Sequence, residues 1–403
     1  MKVLFLTNEY PPHIYGGAGV HVSFLTRELA KTMPVEVRCF GDQRLKEGNL
    51  KVTGYEIDTS NFTCPKPLRS VFGAVRRCTD FNTTNIDADL VHCHTWYSHF
   101  GGILAKKNYG IPLVITVHSL EPLRPWKREQ LAGGYDFSLW VEKTALEMAD
   151  AIIAVSRETK ADIERLFKVD PARVHVIHNG IDLDQYRKVD STAALKRYSI
   201  DPDKPYLLFV GRIARQKGFQ HLLRAIQFME SGFQIVLCAA APDTPELQEE
   251  MQTAVDRAKT QRAGVIWINE MVDQAATREL YSHAAVFVCP SIYEPFGIIN
   301  LEAMACETAV VASAVGGIKE VVVDGETGFL VPLEQTKESS FEPADPEKFA
   351  RDLAGRINQL MKDRQLREKF GKAGRKRVEE HFSWASIAQK TKALYETLVR
   401  RAE

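Results

Sequence analysis

The sequence lacks an excess of charge of either sign. Lys and Arg total 52 residues and Asp and Glu also total 52, so the formal net charge is zero. A chain without such an excess has no overall field that would draw it to nucleic acid or to an acidic membrane surface. We therefore expect neither nucleic acid nor a membrane as a partner, and we expect any bound anion to be held by a local cluster of cations.

The sequence also lacks long apolar runs and a paired cysteine pattern. The apolar run at the N-terminus is stopped by Asn8 and Glu9, which makes it too short for a signal peptide. No segment approaches the roughly 20 apolar residues that a membrane-spanning helix requires. The 7 cysteines are scattered and odd in number, which favours buried thiols in a reducing compartment over disulfides. We predict a cytoplasmic protein.

A chain of 403 residues exceeds what one hydrophobic core usually serves, so we expect two domains. Short β-branched runs alternate with helical patterns, which is typical of parallel sheets with helical crossovers. The alternation of strand-like and helical patterns stops at a polar stretch, residues 190–205, and then starts again. Three helical segments follow Pro346. We predict domains at 1–183 and 184–383, with a last helix at 384–403 that packs back on the first. Predicted strands lie at 2–7, 35–40, 90–94, 112–118, 151–155, 174–178, 206–210, 234–239, 265–268, 286–289 and 309–312.

A glycine-rich turn follows the first strand. Residues 15–19 read Tyr-Gly-Gly-Ala-Gly and lead into a helix. Glycine lets the backbone approach a ligand closely, and a helix N-terminus favours an anion. A tight turn between a strand and a helix needs glycine for steric reasons too, so both interpretations stay open. The third glycine of a dinucleotide fingerprint is missing, which argues against an oxidoreductase.

A basic turn follows the first strand of the second series. Arg212, Arg215 and Lys217 lie between Gly211 and Gly218, ahead of a helix. Arginine offers a bidentate fork and lysine a compact charge, and the helix dipole adds to both. The alternative is a solvated basic loop. The position at the carboxyl end of a strand favours a diphosphate site.

Two carboxylates, Glu294 and Glu302, flank a predicted helix that begins near Gly297, and the pair Gly316-Gly317 closes the same edge of the second domain. A glycosidase uses two carboxylates about 5–9.5 Å apart. Residues on either side of a helix are expected to lie further apart. Binding of sugar hydroxyls is therefore the more natural interpretation.

Histidines end two strands of the first domain. His92 and His94 share one face of a strand, and His118 ends the next one. Such a pair is compatible with zinc, but strand alternation also puts histidine pairs in ordinary cores, and no further ligand spacing is evident. Asp87 and Asp89 precede a strand, where turn chemistry explains them. We predict no metal site.

The segment after His118 is basic and aromatic. Arg124, Trp126, Lys127 and Arg128 follow one another closely. A tryptophan face suits a sugar ring, and the cations could hold a phosphate. The alternative is a solvated loop whose tryptophan packs against the protein.

Taken together, these motifs resemble the retaining GT-B glycosyltransferases of family 4. The pair Glu294 and Glu302 around Pro-Phe-Gly is the most specific signature of that group. Within the family the chain is most similar to the corynebacterial-type glycogen synthases, a group that includes maltose-1-phosphate synthases. Tyr15, where the longer bacterial glycogen synthases carry a lysine, favours that branch. The resemblance is carried, in order, by residues 10–12, 15–22, 94–97, 118–130, 178–182, 211–218 and 289–306.

The resemblance implies an α/β fold of GT-B type, with two facing doubly wound Rossmann-like domains and a cleft between them. It implies an acceptor-side N-terminal domain and a C-terminal domain that binds the nucleotide sugar. The implied reaction transfers glucose from ADP-glucose, with retention, to an α-1,4-glucan or to glucose 1-phosphate. No metal and no other cofactor is implied.

The resemblance also assigns roles to single residues. Arg212 and Lys217 would hold the donor diphosphate, Glu294 the transferred glucose and Glu302 the ribose. His118 would contact the sugar near the reacting carbon, and it is counted with Arg212, Lys217 and Glu294 as catalytic. The remaining donor contacts would be Gly16, Gly17, Asn179, Phe296 and Gly297, and the acceptor contacts His94, Trp96, Arg124, Trp126 and Lys127.

One departure from the family bears on stability. Glu307 stands where relatives usually end a helix with glycine, and a left-handed backbone there would cost about 1–2 kcal/mol.

Two other functions remain open. The first is a family 4 transferase that uses a UDP- or GDP-sugar and a non-glucan acceptor. The second is a non-catalytic protein that binds a nucleotide sugar, although the intact Arg212, Lys217, Glu294, Glu302 and His118 argue against it.

Overall fold

A computed structural model describes residues 1–14, 16–336 and 341–402, with the side chains of 401 and 402 excepted. Tyr15 of the first glycine turn and residues 337–340 of a predicted surface loop at 334–345 lie outside the described residues. The chain divides into two compact units. The first comprises Met1–Gly180 with Trp384–Glu403 and the second Ile181–Ser383, so the division follows Gly180 and not residue 183.

The first unit is built on an eight-stranded sheet. Its central strands are buried along their whole length, as expected for parallel strands covered on both faces. Only one strand, β3, runs antiparallel, at the edge of the sheet. The strands are β1 (Val3–Thr7), β2 (Val35–Phe40), β3 (Arg44–Glu47), β4 (Leu50–Tyr55), β5 (Leu90–His94), β6 (Leu113–Val117), β7 (Ala151–Ala154) and β8 (Val174–Val176), in the spatial order β3-β4-β2-β1-β5-β6-β7-β8.

Seven helices belong to this unit. The last one follows the whole second unit in sequence and returns to the first. Its Tyr395 is fully buried and shares a hydrogen bond of 2.5 Å with His92 Nδ1, and its Trp384 packs against Gly180 and stacks on Phe24. The helices are α1 (Gly17–Ala30), α2 (Lys66–Thr83), α3 (Trp96–Tyr109), α4 (Lys127–Leu131), α5 (Gly134–Met148) and α6 (Arg157–Leu166), together with the last helix of the chain, α15 (Trp384–Ala402).

The second unit contains a six-stranded parallel sheet. One apolar cluster of this unit runs from Leu207 of the first strand to Phe370 near the end of the unit, and further apolar residues of the same strands, such as Leu208 and Phe287, are also fully buried. Its strands are β9 (Tyr206–Arg212), β10 (Gln234–Ala240), β11 (Val265–Ile268), β12 (Val286–Cys289), β13 (Ala309–Ser313) and β14 (Gly328–Val331). Its helices are α7 (Ala193–Arg197), α8 (Phe219–Ala225), α9 (Pro245–Gln261), α10 (Gln274–His283), α11 (Ile298–Ala305), α12 (Ile318–Val321), α13 (Pro346–Lys362) and α14 (Arg364–His381).

Both sheets reverse their strand order at one point. The second sheet runs β11-β10-β9-β12-β13-β14, which is the doubly wound order in which the first strand lies next to the fourth. In the first sheet the same reversal lies between β1 and β5. Ligands of open α/β sheets bind beyond the carboxyl ends of the strands at such a reversal. The predicted α/β class with two Rossmann-like domains is confirmed.

Every predicted strand is present, but β3, β4 and β14 were missed. All four residues of β3 are exposed, and the strand carries three charged side chains. A polar edge strand has no apolar pattern that could reveal it. β14 is only four residues long, and it follows a turn-rich stretch that reads as a loop.

The expected states of the cysteines and of the helices can be compared with the structure. Six cysteines are buried, Cys64 is partly buried, and all are free thiols, as predicted. Within the described part of the chain, none of the helices combines the length and the apolar character needed to cross a bilayer.

Glu307, which follows α11, has a φ of 60°. The left-handed conformation anticipated for this position is therefore present. The segment cannot relax easily, because Gly371 of α14 packs so closely that a Cβ on it would lie 2.0 Å from the Glu307 carbonyl oxygen. The side chain of Glu307 lies 3.7 Å from Lys188 Nζ, at a partly exposed site, where an ion pair contributes little.

We expect Glu307→Gly to stabilise the second unit. Relief of the left-handed backbone raises the free energy of unfolding by about 1–2 kcal/mol. The greater flexibility of glycine in the unfolded chain lowers it by about 0.4–1 kcal/mol. The net gain corresponds to a rise in melting temperature of about 2–3 °C for a domain of this size. Glu307→Ala is the matched control, since it removes the same carboxylate and keeps the Cβ. An equal gain in both variants would show that backbone strain is not the cause.

Candidate active site

The basic turn of the second unit begins where β9 ends. Arg212 is the last residue of that strand, and Lys217 ends the single helical turn that follows. Gly218 then has a φ of 63°, and a Cβ there would lie 1.9 Å from the carbonyl oxygen of Pro290. Only glycine therefore allows the basic turn to pack against the segment that follows β12. Because β9 and β12 are neighbours at the strand reversal, this contact brings the basic turn next to the segment that carries Glu294.

Lys217 and Glu294 form an ion pair. The distance from Lys217 Nζ to Glu294 Oε2 is 2.6 Å, and the two side chains are 16% and 10% exposed. Ser291 Oγ donates a second hydrogen bond to the same carboxylate oxygen, at 3.2 Å. Gly316, with a φ of 51°, lies so close that a Cβ would be 1.9 Å from the Glu294 carbonyl oxygen. The carboxylate is thus fixed by its side-chain partners and by the backbone packed behind it.

Arg212 is also paired with a carboxylate. Its Nη1 donates to Asp243 Oδ1 at 2.7 Å, and the Asp243 side chain is only 8% exposed. Sequence reasoning missed Asp243, which follows β10 at the same edge of the sheet. Its position just beyond a strand end was the available signal. Both predicted diphosphate-binding cations are therefore held in place by acids.

Glu302 was predicted to flank the helix, but it lies inside α11. The helix begins after Gly297, as predicted, but it continues past Glu302 to Ala305, because the segment 298–305 contains no proline or glycine. Tyr281 Oη donates to Glu302 Oε2 at 3.0 Å, and Tyr186 donates to the same carboxyl. Burial raises the pKa of the Glu302 carboxyl to about 7, although both tyrosines act to lower it. Neither tyrosine was predicted, since both lie far from Glu302 in sequence.

Two further predicted donor contacts stand at the start of the same helix. Gly297 is the residue before α11 and has a φ of 91°, a conformation that favours glycine. The side chain of Phe296 is 2% exposed, and its ring lies 6.0 Å from the ring of Phe382. A side-chain contact between Phe296 and a donor is therefore excluded in this conformation, and only its backbone is suited to one.

The glycine turn of the first unit lies beyond β1. Gly16 N donates to Glu9 Oε2 at 2.7 Å, and Gly17 begins α1. Gly16 is extended, with a φ of −157°, and a Cβ on it would meet none of the described atoms within 4 Å. Neither the backbone angle nor the packing requires glycine here. That result favours the ligand interpretation over the steric one.

Histidines gather at the strand reversal of the first unit. His94 is the last residue of β5 and His118 follows β6, and the distance from His94 Nδ1 to His118 Nε2 is 3.0 Å. Burial, together with the neighbouring imidazoles, holds the pKa values of both rings well below the usual range. His118 is therefore a neutral group at pH 7, and it is only partly buried.

Two predicted site residues of this group are buried. His94 is fully buried, so the protein covers its ring in this structure and the acceptor role assigned to it stays a prediction. Asn179 is 4% exposed, and its Oδ1 accepts a hydrogen bond of 2.6 Å from His21 Nδ1. The Asn179 side chain thus orients His21 and does not line an open surface.

The two tryptophans assigned to the acceptor are also covered. Trp96 is 3% exposed, stacks on Tyr97 at 4.1 Å between ring centres and belongs to an apolar cluster with Val71. Trp126 is 9% exposed. Neither ring presents a face to a sugar in this structure, which favours the alternative of a tryptophan that packs against the protein. The acceptor role of both residues stays a prediction.

A pair of buried carboxyl groups supports the segment between His118 and α4. Glu121 and Glu142 are 2% and 3% exposed. Glu142 Oε2 accepts a hydrogen bond of 2.8 Å from Glu121 N, and Ser138 Oγ donates to Glu121 Oε2 at 3.1 Å. Burial and the neighbouring Glu121 raise the pKa of Glu142 well above its usual range. Sequence reasoning passed over both residues, since an isolated glutamate in a helix reads as a surface residue.

The cations of this segment differ in their surroundings. Arg124 Nη1 donates to Ser119 Oγ at 3.1 Å and more weakly to Glu121 Oε1 at 3.4 Å, while its buried Nε has no partner among the described residues. Lys127 is partly buried at the start of α4. Arg128 is exposed and makes two hydrogen bonds to Asp136, at 2.6 and 3.0 Å. Arg128 is therefore already engaged, whereas Arg124 keeps an unused donor.

Two protein-family models match the chain. Glycosyltransferase Family 4 matches residues 15–185, and Glycosyl transferases group 1 matches residues 190–377. The first match falls on the unit that carries the histidines, and the second falls on the unit that carries Arg212, Lys217 and the two glutamates.

Similar proteins match the chain along almost its whole length. Alpha-maltose-1-phosphate synthase of Mycolicibacterium smegmatis is 46% identical and covers 98% of this chain and 99% of its own. The synthase of the same name from Mycobacterium tuberculosis is 44% identical with the same coverage. The solved structure of sucrose-phosphate synthase from Thermosynechococcus elongatus matches with a TM-score of 0.80 at 26% identity over the full length of both chains. The chain therefore belongs to the family 4 glycosyltransferases of GT-B fold and is a hexosyltransferase of the type that includes the maltose-1-phosphate synthases.

Proposed function

We propose that this hexosyltransferase transfers glucose from ADP-glucose to glucose 1-phosphate and so makes maltose 1-phosphate. The acceptor hydroxyl oxygen forms a bond to C1 of the transferred glucose and loses its proton. The bond between C1 and the diphosphate oxygen breaks, and ADP leaves with that electron pair. The product keeps the α configuration of the donor. The observation that carries the proposal is the identity of 46% and 44% with two synthases of that name over nearly the whole of each chain.

The leaving group sets the main demand on the second unit. As C1 separates from the diphosphate, negative charge grows on the phosphate oxygens. Preorganised cations at that point stabilise the transition state more than the bound donor. Arg212 and Lys217 would supply this charge, since they lie at the carboxyl end of β9 beside the strand reversal. With two fixed cations the reaction requires no metal cofactor.

The carboxylates that hold these cations also have roles in the proposal. Asp243 orients the Arg212 guanidinium, and Glu294 orients Lys217. Glu294 would in addition accept hydrogen bonds from the hydroxyls of the transferred glucose. Two carboxylate oxygens offer about four acceptor positions, and Lys217 and Ser291 both use the same oxygen, Oε2.

Glu302 would bind the ribose hydroxyls of the nucleotide. An ionised carboxylate accepts hydrogen bonds from both hydroxyls of a diol, which a neutral carboxyl cannot do equally well. Tyr281 already occupies Oε2 at 3.0 Å and holds the carboxyl in one orientation. The base of the nucleotide is not contacted by any of these groups, so ADP as the leaving group rests on the family resemblance alone.

The first unit would supply His118 to the transferred sugar. A neutral imidazole is suited to this role, because it can donate or accept a hydrogen bond without placing a second positive charge beside an oxocarbenium-like sugar.

Arg124 favours a sugar phosphate as the acceptor. Its buried Nε–H lacks a partner among the described residues, and such a group costs free energy unless a ligand satisfies it. A phosphate oxygen would satisfy it with a charge-assisted hydrogen bond. A glucan acceptor would instead require an exposed aromatic platform, and Trp96 and Trp126 are both buried. Glucan elongation and the use of UDP- or GDP-sugars are the alternatives.

The direct test is a panel of donors and acceptors. ADP-, UDP- and GDP-glucose are each offered with glucose 1-phosphate, maltose or glycogen, and the released nucleotide and the sugar product are measured. We expect ADP release that depends on glucose 1-phosphate. Release of UDP or GDP alone, or transfer to glycogen alone, would overturn the proposal.

The proposed diphosphate site predicts the effect of two substitutions. Arg212→Ala and Lys217→Ala should each lower turnover about 10²–10³-fold at saturating donor, as expected when one preorganised charge is removed. Arg215→Ala is the matched control. It removes a cation from the same turn, but that cation lies 3.6 Å from Glu250, and we expect a change of less than about threefold. Near-normal turnover in both test variants, with unchanged melting temperatures, would contradict the role in transfer.

The raised pKa of Glu302 predicts a pH dependence for donor binding. With a pKa of about 7, the carboxyl is mostly ionised at pH 8 and mostly protonated at pH 6. The ionised fraction then falls about tenfold between these values, and the KM for donor at saturating acceptor should rise by up to that factor. Glu302→Gln carries no titrating group, so its KM should be higher and flat over the same range. A wild-type KM that is independent of pH would argue against ribose binding by the ionised form.

The acceptor assignment predicts a change in selectivity. Arg124→Ala and Lys127→Ala should lower transfer to glucose 1-phosphate at least tenfold relative to transfer to maltose or glycogen, because only the first acceptor carries a dianion. Arg128→Ala is the control, since Arg128 is bound to Asp136, and it should leave the ratio unchanged. The second activity also reports whether each variant is folded. An unchanged ratio in Arg124→Ala and Lys127→Ala would favour plain glucan elongation.

A further inference from the structure

Three imidazoles meet at the strand reversal of the first unit. His21 lies on α1, His94 ends β5 and His118 follows β6. Each ring offers one nitrogen such that the three nitrogens lie within 4.8 Å of one another. The ring centres are 4.8, 5.3 and 5.5 Å apart. Three imidazoles on one tetrahedral zinc ion, at Zn–N distances of about 2.0–2.1 Å, have ring centres about 5 Å apart.

The hydrogen bonds of the trio leave its nitrogens facing each other. His21 Nδ1 donates to Asn179 Oδ1 at 2.6 Å, because an amide oxygen can only accept, and His21 Nε2 is buried without a partner among the described residues. The His94 and His118 nitrogens, 3.0 Å apart, share one proton. That separation is close to the spacing of about 3.3 Å between two ligand nitrogens on a tetrahedral ion.

The bond from His21 to Asn179 is of the kind that supports a metal ligand. Histidines that bind metals nearly always donate their second ring N–H to a carbonyl or carboxylate oxygen, which fixes the tautomer and the ring plane. The neighbouring His92 lacks this arrangement. Both of its nitrogens are engaged, with Tyr395 Oη at 2.5 Å and with Thr116 Oγ1 at 2.8 Å. Because both nitrogens of His92 are engaged, we do not count His92 among the ligands.

We propose that His21, His94 and His118 bind one late first-row divalent metal ion, such as Zn²⁺, and that this ion inhibits the transferase. Neutral imidazoles suit zinc, nickel, cobalt and copper, whereas magnesium and calcium prefer oxygen ligands. The ion takes the place of the proton between His94 Nδ1 and His118 Nε2. That proton moves to the second nitrogen of the ring that carried it, so all three rings bind as neutral imidazoles and no proton is lost. Closing the trio onto the ion requires each nitrogen to move by at most about 1 Å. The partly exposed His118 leaves a route for entry and a fourth position for water.

The inhibitory effect follows from the use of His118 in both processes. His118 Nε2 already faces His94, so the inhibition comes from the charge of the ion. Two positive charges beside the ring oppose the positive charge that develops on the transferred sugar. This part of the inference rests on the proposed function, whereas the binding of the ion does not.

The binding test uses the intact protein and Co²⁺, which reports its geometry by visible absorption. We expect a saturable band at one equivalent of Co²⁺ with the intensity of a four- or five-coordinate site, and its loss when one equivalent of Zn²⁺ is added. Calorimetry of Zn²⁺ binding in two buffers of different ionisation enthalpy should give nearly the same heat, because three neutral imidazoles release no proton when they bind the ion. An absent band, or only the weak spectrum of hydrated Co²⁺, would overturn the proposal.

Variants distinguish Zn²⁺ binding at this site from nonspecific Zn²⁺ binding at the surface. His21→Ala and His94→Ala each remove a ligand and should weaken Zn²⁺ binding at least 100-fold. Asn179→Ala keeps all three ligands and should weaken it about 10–100-fold through the lost orientation of His21. His13→Gln removes an exposed histidine paired with Asp42 at 2.9 Å and should leave the Zn²⁺ affinity unchanged. Unchanged affinity in folded His21→Ala and His94→Ala would also overturn the site.

The inhibition test is separate. Zn²⁺ should abolish sugar transfer at the concentration that saturates the Co²⁺-competing site, and EDTA should restore it fully, with no loss of activity in EDTA alone. Binding with full activity would refute the inhibitory role and leave the metal site standing. If the chain shows no transferase activity with any donor, the proposed function fails, while the spectroscopic test of the site is unaffected.

Discussion

The second unit depends on two close approaches of backbone to backbone. Gly218 packs against the carbonyl oxygen of Pro290, and Gly316 packs against that of Glu294, each at a distance that a Cβ would forbid. These contacts bring the turn after β9, the segment after β12 and the turn after β13 together at one edge of the sheet. The ion pair between Lys217 and Glu294 exists because of them. Loss of one partner of a mostly buried ion pair costs about 3–5 kcal/mol of stability. The pair therefore stabilises the unit, but it can form only because the glycines let the two segments approach.

The first unit meets the same requirement with neutral groups. Its strand reversal carries imidazoles whose burial keeps the pKa values of His94 and His118 far below the usual range. An uncharged cluster suits a region that has to approach a sugar on which positive charge develops. It also brings three ring nitrogens within 4.8 Å of one another, which is the arrangement that a metal ion would use. The same burial therefore underlies both the proposed role in transfer and the proposed sensitivity to zinc.

Burial also bears on the acceptor that we propose. Trp96 and Trp126 pack inside the protein, which removes the stacking surface that a glucan would use. The buried Glu121 and Glu142 hold the segment that carries Arg124, whose Nε–H is left without a partner among the described residues. An unsatisfied guanidinium donor is a better fit to a phosphate than to a neutral glucan. Glu121 and Glu142 thus hold the segment in the position that leaves the Arg124 side chain with a donor for the proposed acceptor phosphate.

The sequence by itself determined the fold class, nearly all the parallel strands and the turns that carry the candidate residues, because buried strands are continuous apolar runs and glycine-rich turns follow them directly. It also located Arg212, Lys217, Glu294 and His118 at strand ends. Only the tertiary structure decided which groups meet there. Asp243, Tyr281 and His21 come from distant parts of the chain and carry no local signal, and whether Trp126 stacks on a sugar or packs inward depends on neighbours that its own segment does not specify. Local patterns determine secondary structure, whereas the partners of a side chain are set by long-range packing.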